Sequence, residues 1–486
     1  MLAICVLLLC ANVLLGGATG PGSISDAALQ LVSIPALVMV LFNWQRLPLS
    51  TAGLKPALAL CVAIVGVPLL QLIPLPASVV SVIEPNAFVT EVMQLAHLEL
   101  PYRTLSVAPY ATALSALSLL PPVTLFLAVQ TLSAEQRKAL NLMLLVLCFT
   151  SIVLGLLQLA SGPASSLRPY AVTNDEDAVG FFANRNHLAA LIYCALVYLL
   201  AWLPDNPDNE AAAPKKNIAA GGMRLPDPLI STLVALGTFV LIAAEATTRS
   251  RTGILLALLA LGIAGLALIP SLRSLWSGRT FRLVAVGAAT FVVLFMFEFA
   301  AYRSVQRFTF DPRADGRIPY VRNTIAAAKA FLPFGSGVGT FTTVYPRFPT
   351  HREETIGVHA NRAHSDITEL FLEAGVLYLA VAAGFLAWLA SRIRALWAAN
   401  ATDSRTTVAQ KGSSLEKAST LVLGLLILHS FVDYPLRTGA MLAIFAYACA
   451  TIIPAPRMER GSVRRSQRTR GETRIVPAGR PALLRQ

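Results

Sequence analysis

Between residues 301 and 375 this chain crowds histidine, carboxylate and arginine side chains at spacings that could move a proton and hold an anion. The run HANRAHSDITELFLEAG (359–375) carries His359, Arg362, His364, Asp366, Glu369 and Glu373. Helical spacing puts Asp366, Glu369 and Glu373 on one face and His364, Thr368, Phe371 and Gly375 on the other. A histidine beside cations at the mouth of an apolar helix can take a proton from an acceptor hydroxyl, or can simply be hydrogen-bonded there. Asp366 in the first turn complements the helix dipole. Glu369 and Glu373 lie deeper, where an ionisable group is paired or functional. His351, His359 and His364 lack the spacing of a zinc site, and no metal or cofactor is expected.

Cations flank this run. RIPYVRNTIAAAKAFL (317–332) predicts an amphipathic helix whose apolar face is Ile318, Val321, Ile325, Ala328 and Leu332. Arg322 and Lys329 border that face. Arg317 opens the helix, where a cation gains nothing from the dipole and is better explained by a bound anion. FGSGVGTF (334–341) has three glycines but no following Lys-Ser/Thr, so it predicts tight turns and not a P-loop. TTRSRTG (247–253) adds Arg249 and Arg251. Glu245 stands four residues before Arg249 and could pair with it, leaving Arg251 the freer cation. GFFANRNHLAALI (180–192) places Asn184, Arg185, Asn186 and His187 at a helix start, where asparagine serves as a cap or faces a ligand. His429 and Asp433, also four apart, suggest a structural Asp–His pair. Guanidinium groups offer a fixed fork of donors suited to phosphate.

The elements that must position these groups follow from composition. Of 486 residues, 55% are apolar and only 13% charged. That excludes an ordinary soluble enzyme, a disordered chain and a disulfide scaffold, and predicts an all-α polytopic membrane protein. Twelve spans are expected, near 2–17, 28–44, 56–73, 109–130, 139–160, 186–203, 228–246, 251–270, 282–300, 366–390, 417–434 and 439–454. The first lacks the basic start of a signal peptide. The six cysteines lie in apolar runs without a CxxC pair, so neither disulfides nor thiolate metal sites are expected. The chain divides into a transmembrane domain, 1–454, with a large far-side loop at about 301–365, and a basic tail, 455–486, drawn to anionic headgroups.

Net charge is +13. With the N-terminus in the cytoplasm, 24 of 39 cations fall on cytoplasmic loops or the tail, as the positive-inside rule requires, and both termini are cytoplasmic. Fifteen oppose the rule, and nine of them lie in 301–364: Arg303, Arg307, Arg313, Arg317, Arg322, Lys329, Arg347, Arg352 and Arg362. A solvated loop would account for them; so would a site for a lipid-linked phosphate or diphosphate at the membrane face.

LSVAPYATAL (105–114), GFFANRNHLAAL (180–191), SRTG (250–253), the run from Arg317 to FGSGVGTF, and AHSDITELFLEAG (363–375) occur in this order. Together they resemble the O-antigen ligase family of bacterial membrane glycosyltransferases, over roughly residues 100–450. The resemblance implies a GT-C-like helical fold with its active site on the periplasmic face of the inner membrane. It implies metal-independent, inverting transfer of a glycan from an undecaprenyl-diphosphate carrier to a hydroxyl on lipid A–core (ligase) or on a growing polysaccharide (polymerase). Membrane lipids are partners and nucleic acid is not. Catalytic roles carry over to Arg251, Arg317 and His364. Where many relatives have a second histidine two residues before the last, this chain has Arg362, with His359 further back. Arg249, Arg322, Arg362, His359, Asn184 and Asn186 are the candidates for substrate binding. A secondary transporter of an anion or small solute is the alternative; it would need polar groups such as Glu369 or Glu373 lining a water-filled path at mid-membrane.

Overall fold

A computed structural model describes residues 1–20, 22–43, 45, 49–83, 92–97, 101–203, 227–268, 317–348, 360–398 and 413–456. The expected span at 282–300, the cations Arg303, Arg307, Arg313 and Arg352, His351, His359 and the tail beyond Pro456 lie outside the described residues, as does the side chain of Arg317.

The described chain is helical: α1 (Leu2–Leu15), α2 (Ile24–Phe42), α3 (Leu54–Gln71), α4 (Ala77–Ile83), α5 (Pro109–Ser118), α6 (Leu120–Gln130), α7 (Ala134–Ala160), α8 (Arg185–Leu200), α9 (Asp227–Thr247), α10 (Arg251–Leu268), α11 (Arg317–Ala330), α12 (Asp366–Ala398), α13 (Ser414–Ser430) and α14 (Gly439–Thr451). A two-residue antiparallel ribbon pairs Leu75–Pro76 with Tyr102–Arg103. The other eleven expected spans each fall on helix. Among the described residues, seven stretches are long and apolar enough to cross a membrane: α2, α3, Pro109–Gln130, α7, Pro228–Thr247, α10 and Asp366–Trp397. The shorter α1, α8 and α14 are also apolar.

Local chemistry sets the helix starts. Ser133 accepts from Gln136 N at 3.3 Å while the Gln136 side chain accepts from Ser133 N at 3.0 Å, a reciprocal cap for α7. Ser413 and Glu416 repeat the arrangement at α13.

Helix α8 is the axis of the core, with every residue from Asn186 to Leu200 buried. It packs against α7, α9, α10 and α13. The outer helices turn apolar side chains outward, among them Leu31, Val62 and Phe239, which suits hydrocarbon rather than water.

The bundle has two chemically distinct ends. At one, buried Arg137 donates to the carbonyls of Ala450 (3.3 Å) and Ile453, and buried Arg392 donates to Ile452 O from Nε (3.2 Å) and Nη2 (3.1 Å). Both satisfy the exposed carbonyls of the α14 C-terminus. Lys417, also buried, lies 5.6 Å over the Trp397 ring. These three cations gather at one end of the bundle as packed structural groups and not solvated loop charges.

Toward the other end, α12 is broken at Gly375 (φ 54, ψ −131). The break frees carbonyls for a second segment: Ser336 N reaches Leu372 O (3.0 Å), Gly337 N reaches Glu373 O (2.9 Å), and Gln71 Nε2 reaches Glu373 O (2.8 Å). A Cβ on Gly375 would overlap the Pro333 carbonyl oxygen. The glycine-rich loop is therefore a structural clasp, as its lack of a phosphate-loop pattern suggested. Val107 N donates to Ser336 O at 2.9 Å, so the 105–114 segment is fastened to the same clasp.

Candidate active site

His364 sits in the loop just before α12, with a left-handed backbone (φ 53) that a non-glycine residue rarely adopts. The loop is pinned on both sides. Ser365 Oγ accepts from Thr368 N at 3.4 Å and donates to Ser430 O at 3.2 Å, and Asp366 N donates to Asp433 O at 3.1 Å. The imidazole is stacked on Tyr320 of α11 (centroids 5.8 Å, planes 15° apart) and meets Tyr434 edge-on at 5.2 Å. Its Nδ1 is buried and faces Asp433 Oδ1 at 3.5 Å. The side chain keeps 21% exposure, all of it at atoms other than Nδ1.

Asp433 is itself oriented. Its Oδ1 accepts from Tyr434 N at 3.0 Å, and its Oδ2 accepts from Asn186 Nδ2. Asn184 caps α8, accepting from Asn186 N at 2.9 Å, and donates from Nδ2 to Tyr434 OH at 3.2 Å. Both asparagines thus tie the start of α8 to the turn that carries Asp433. His429 places its Nδ1 3.0 Å from Tyr193 OH, and its carbonyl accepts from Asp433 N at 2.9 Å. The carboxylate four residues on serves His364, a partner that i, i+4 spacing does not disclose.

A buried ion network holds the two loops together. Arg437, three residues after Tyr434, lies 2.8 Å from Glu373 Oε2, 3.5 Å from Glu369 Oε1 and 3.7 Å from Asp366 Oδ1. Arg362 adds a second cation, with Nη1 2.8 Å from Glu369 Oε1, and donates from Nε to Thr19 O at 3.2 Å. Burial works against the charge of Arg437, but Glu369, Glu373 and Asp366 outweigh it and hold the guanidinium above its ordinary pKa. Glu369 and Glu373 are fully buried and ion-paired. They are braces for the loop, not the lining of a water-filled path.

The cations gather at the same end. Arg185 Nη1 is 2.6 Å from Asp177 Oδ2, and Arg249 Nη1 is 3.8 Å from Asp177 Oδ1. The expected Glu245–Arg249 pair does not form: α9 ends at Thr247 and Arg249 has a left-handed backbone (φ 51), so helical spacing no longer holds. Glu245 is buried and neither carboxylate oxygen has a hydrogen-bond partner among the described residues. Arg251 opens α10, is exposed, and forms no ion pair among the described residues. Contacts therefore run without a gap from His364 through Asp433, Asn186, Arg185 and Asp177 to Arg249, two residues from Arg251.

Helix α11 is present, but its inward face is rotated from the expected one. Asn323, Thr324, Ala327, Ala328 and Phe331 are buried, while Ile325 and Leu332 are partly exposed. Polar side chains can face inward because each finds a partner: Asn323 Nδ2 donates to Tyr345 OH at 3.3 Å and Thr324 Oγ1 to Tyr320 O at 2.6 Å. Arg322 is on the exposed side. Arg317 begins the helix, one turn before the Tyr320 ring that covers His364.

An O-antigen ligase family model matches residues 235–383. No curated protein matches the chain. The matched segment contains Arg249, Arg251, Arg317, Arg322, Arg362 and His364. Asp177, Asn184, Asn186, Asp433, Tyr434 and Arg437 lie outside it and reach its histidine only through the fold. Sequence reasoning did not single out Asp177, Tyr320, Tyr434 or Arg437. The one available signal for Arg437 was a lone arginine between two apolar helices, opposing the charge rule beside an already suspect Asp433.

Proposed function

We propose that the chain is a membrane glycosyltransferase of the ligase or polymerase type. It moves a glycan from an undecaprenyl-diphosphate carrier to an acceptor hydroxyl on the periplasmic side. The observation that carries this reading is the buried Asp433 facing His364 Nδ1 at the bundle end where Arg249 and Arg251 also lie. The matched O-antigen ligase segment and the membrane-type helices support the same class.

In this reading Asp433 accepts Nδ1–H of His364, which fixes the tautomer and leaves Nε2 able to take a proton. The acceptor oxygen attacks the anomeric carbon of the donor as His364 Nε2 removes its proton. The bond from that carbon to the phosphate oxygen breaks, and its electron pair leaves on undecaprenyl diphosphate. Arg251 and Arg317 stabilise the charge that develops on the leaving group, with Arg322 and Arg249 beside them. Arg362, Asn184 and Asn186, placed among the substrate contacts by sequence, act here through the loops they fasten. Fixed guanidinium groups would serve where a divalent ion serves in other transferases, and a single displacement would invert the anomeric centre.

The test uses the full chain in membranes. Replacing His364, Arg317 or Arg251 singly by Ala should lower glycan transfer at least a hundredfold; near-normal transfer by folded His364→Ala protein would overturn the assignment. Feeding one lipid-linked repeat unit separates the two types, since only a polymerase returns a ladder without lipid A–core.

A further inference from the structure

The loop between α7 and α8 spends an unusual number of hydrogen bonds on presenting one acid. Arg168 Nη1 donates to the carbonyls of Asn174 (2.8 Å) and Asp177 (3.1 Å), and its Nη2 donates to that of Asp175. Asn174 Oδ1 accepts from Arg185 N at 3.0 Å. Gln158 Nε2 donates to the carbonyls of Leu167 (3.1 Å) and Gly180 (2.9 Å), and its Oε1 accepts from the N–H groups of Val179 and Gly180. The product is a buried Asp177 side chain held unevenly. Oδ2 is locked to Arg185 at 2.6 Å, whereas Oδ1 has no hydrogen bond and faces Arg249 loosely at 3.8 Å. Arg249 is 66% exposed on a left-handed backbone, two residues from Arg251.

We infer that Asp177 is a built-in competitor for the diphosphate: it holds Arg249 in the unloaded site, yields it to the lipid diphosphate, and takes it back to speed product release. The contact is long at 3.8 Å and its cation is solvent-exposed, so it is weak and easily exchanged. A diphosphate carries more charge than one carboxylate and can accept two guanidinium bonds, so it wins Arg249 when bound. Arg185 stays on Oδ2 throughout, so the acid never becomes an unpaired buried charge when Arg249 leaves. Asp177 is a positioning residue that acts through Arg249. This rests on the transferase reading above.

The experiment measures binding of undecaprenyl diphosphate to the purified full chain, with inorganic pyrophosphate as the lipid-free probe. Asp177→Asn should bind undecaprenyl diphosphate roughly two- to fivefold more tightly, the exchange value of one weak ion pair. It should also lower the donor KM and kcat together through slower product release. A purely structural loss would weaken binding, not tighten it. Adding Arg249→Gln to Asp177→Asn should abolish the gain. Unchanged or weaker binding by folded Asp177→Asn overturns the inference. Should that variant not fold, Arg249→Gln decides alone: it must lose affinity, and wild-type affinity overturns the inference. Wild-type protein that binds no undecaprenyl diphosphate would instead sink the transferase reading itself.

Discussion

Arg437 Nη1 lies 2.8 Å from Glu373 Oε2, joining the turn after α13 to the second helical turn of α12. That pair and its neighbours Glu369 and Asp366 set how closely the loop of Asp433 approaches the loop of His364. Removing the cation leaves Glu369 with Arg362, and Glu373 and Asp366 with neutral donors only among the described residues. Arg437→Leu should therefore destabilise the protein by about 3–5 kcal/mol, the range for stripping one partner from a buried ion pair. Thermal unfolding in detergent measures it, and an unchanged midpoint would contradict the network's role.

Asp433→Asn should act on rate more than on stability. An amide keeps the size of the side chain and can still accept from Asn186, but it no longer stabilises a protonated His364. Transfer should fall on the order of 10²- to 10⁴-fold with the donor KM little changed. A proportionate rise in KM with kcat intact would assign Asp433 to binding instead.

Gly375→Ala tests the break in α12. The new methyl group meets the Pro333 carbonyl on a backbone with φ 54. Conformational strain and overlap together should cost roughly 2–5 kcal/mol. The clasp onto Ser336 and Gly337 should loosen, read as faster amide exchange at those two residues. Equal exchange in the variant would show that the break is not needed.

Arg137→Met is the control at the opposite end. It takes the buried donor from the Ile453 carbonyl and leaves Ala450 O to Gln130 Nε2, at a cost on the order of 2–4 kcal/mol. The donor KM should not move, because the hydrogen-bond partners of Arg137 among the described residues, Ala450, Ile453 and Tyr447, lie at the end away from His364. A shifted KM at unchanged stability would argue against that separation.

The apolar runs were enough to locate the helices, since span length is a local property. Arg251 and His364 stand out as candidates for the same reason: each belongs to a short run whose residue types point to anion binding or proton transfer. The face of α11 was misjudged because its periodicity is weak and partners elsewhere satisfy Asn323 and Thr324. Glu245 and Arg249 looked like a helical pair only while the helix was assumed to continue past Thr247.

By itself the sequence determined that the chain is a helical membrane protein with arginines crowded beside a histidine at a helix start. Only the tertiary structure decided who partners whom. Asp433 reaches His364 across 69 residues, Asn186 reaches Asp433 across 247, and Arg137 reaches Ile453 across 316. Periodicity carries information over three or four residues along one helix. Which helix ends become neighbours depends on how all the apolar faces pack around α8, and that packing is what turns scattered charges into a site.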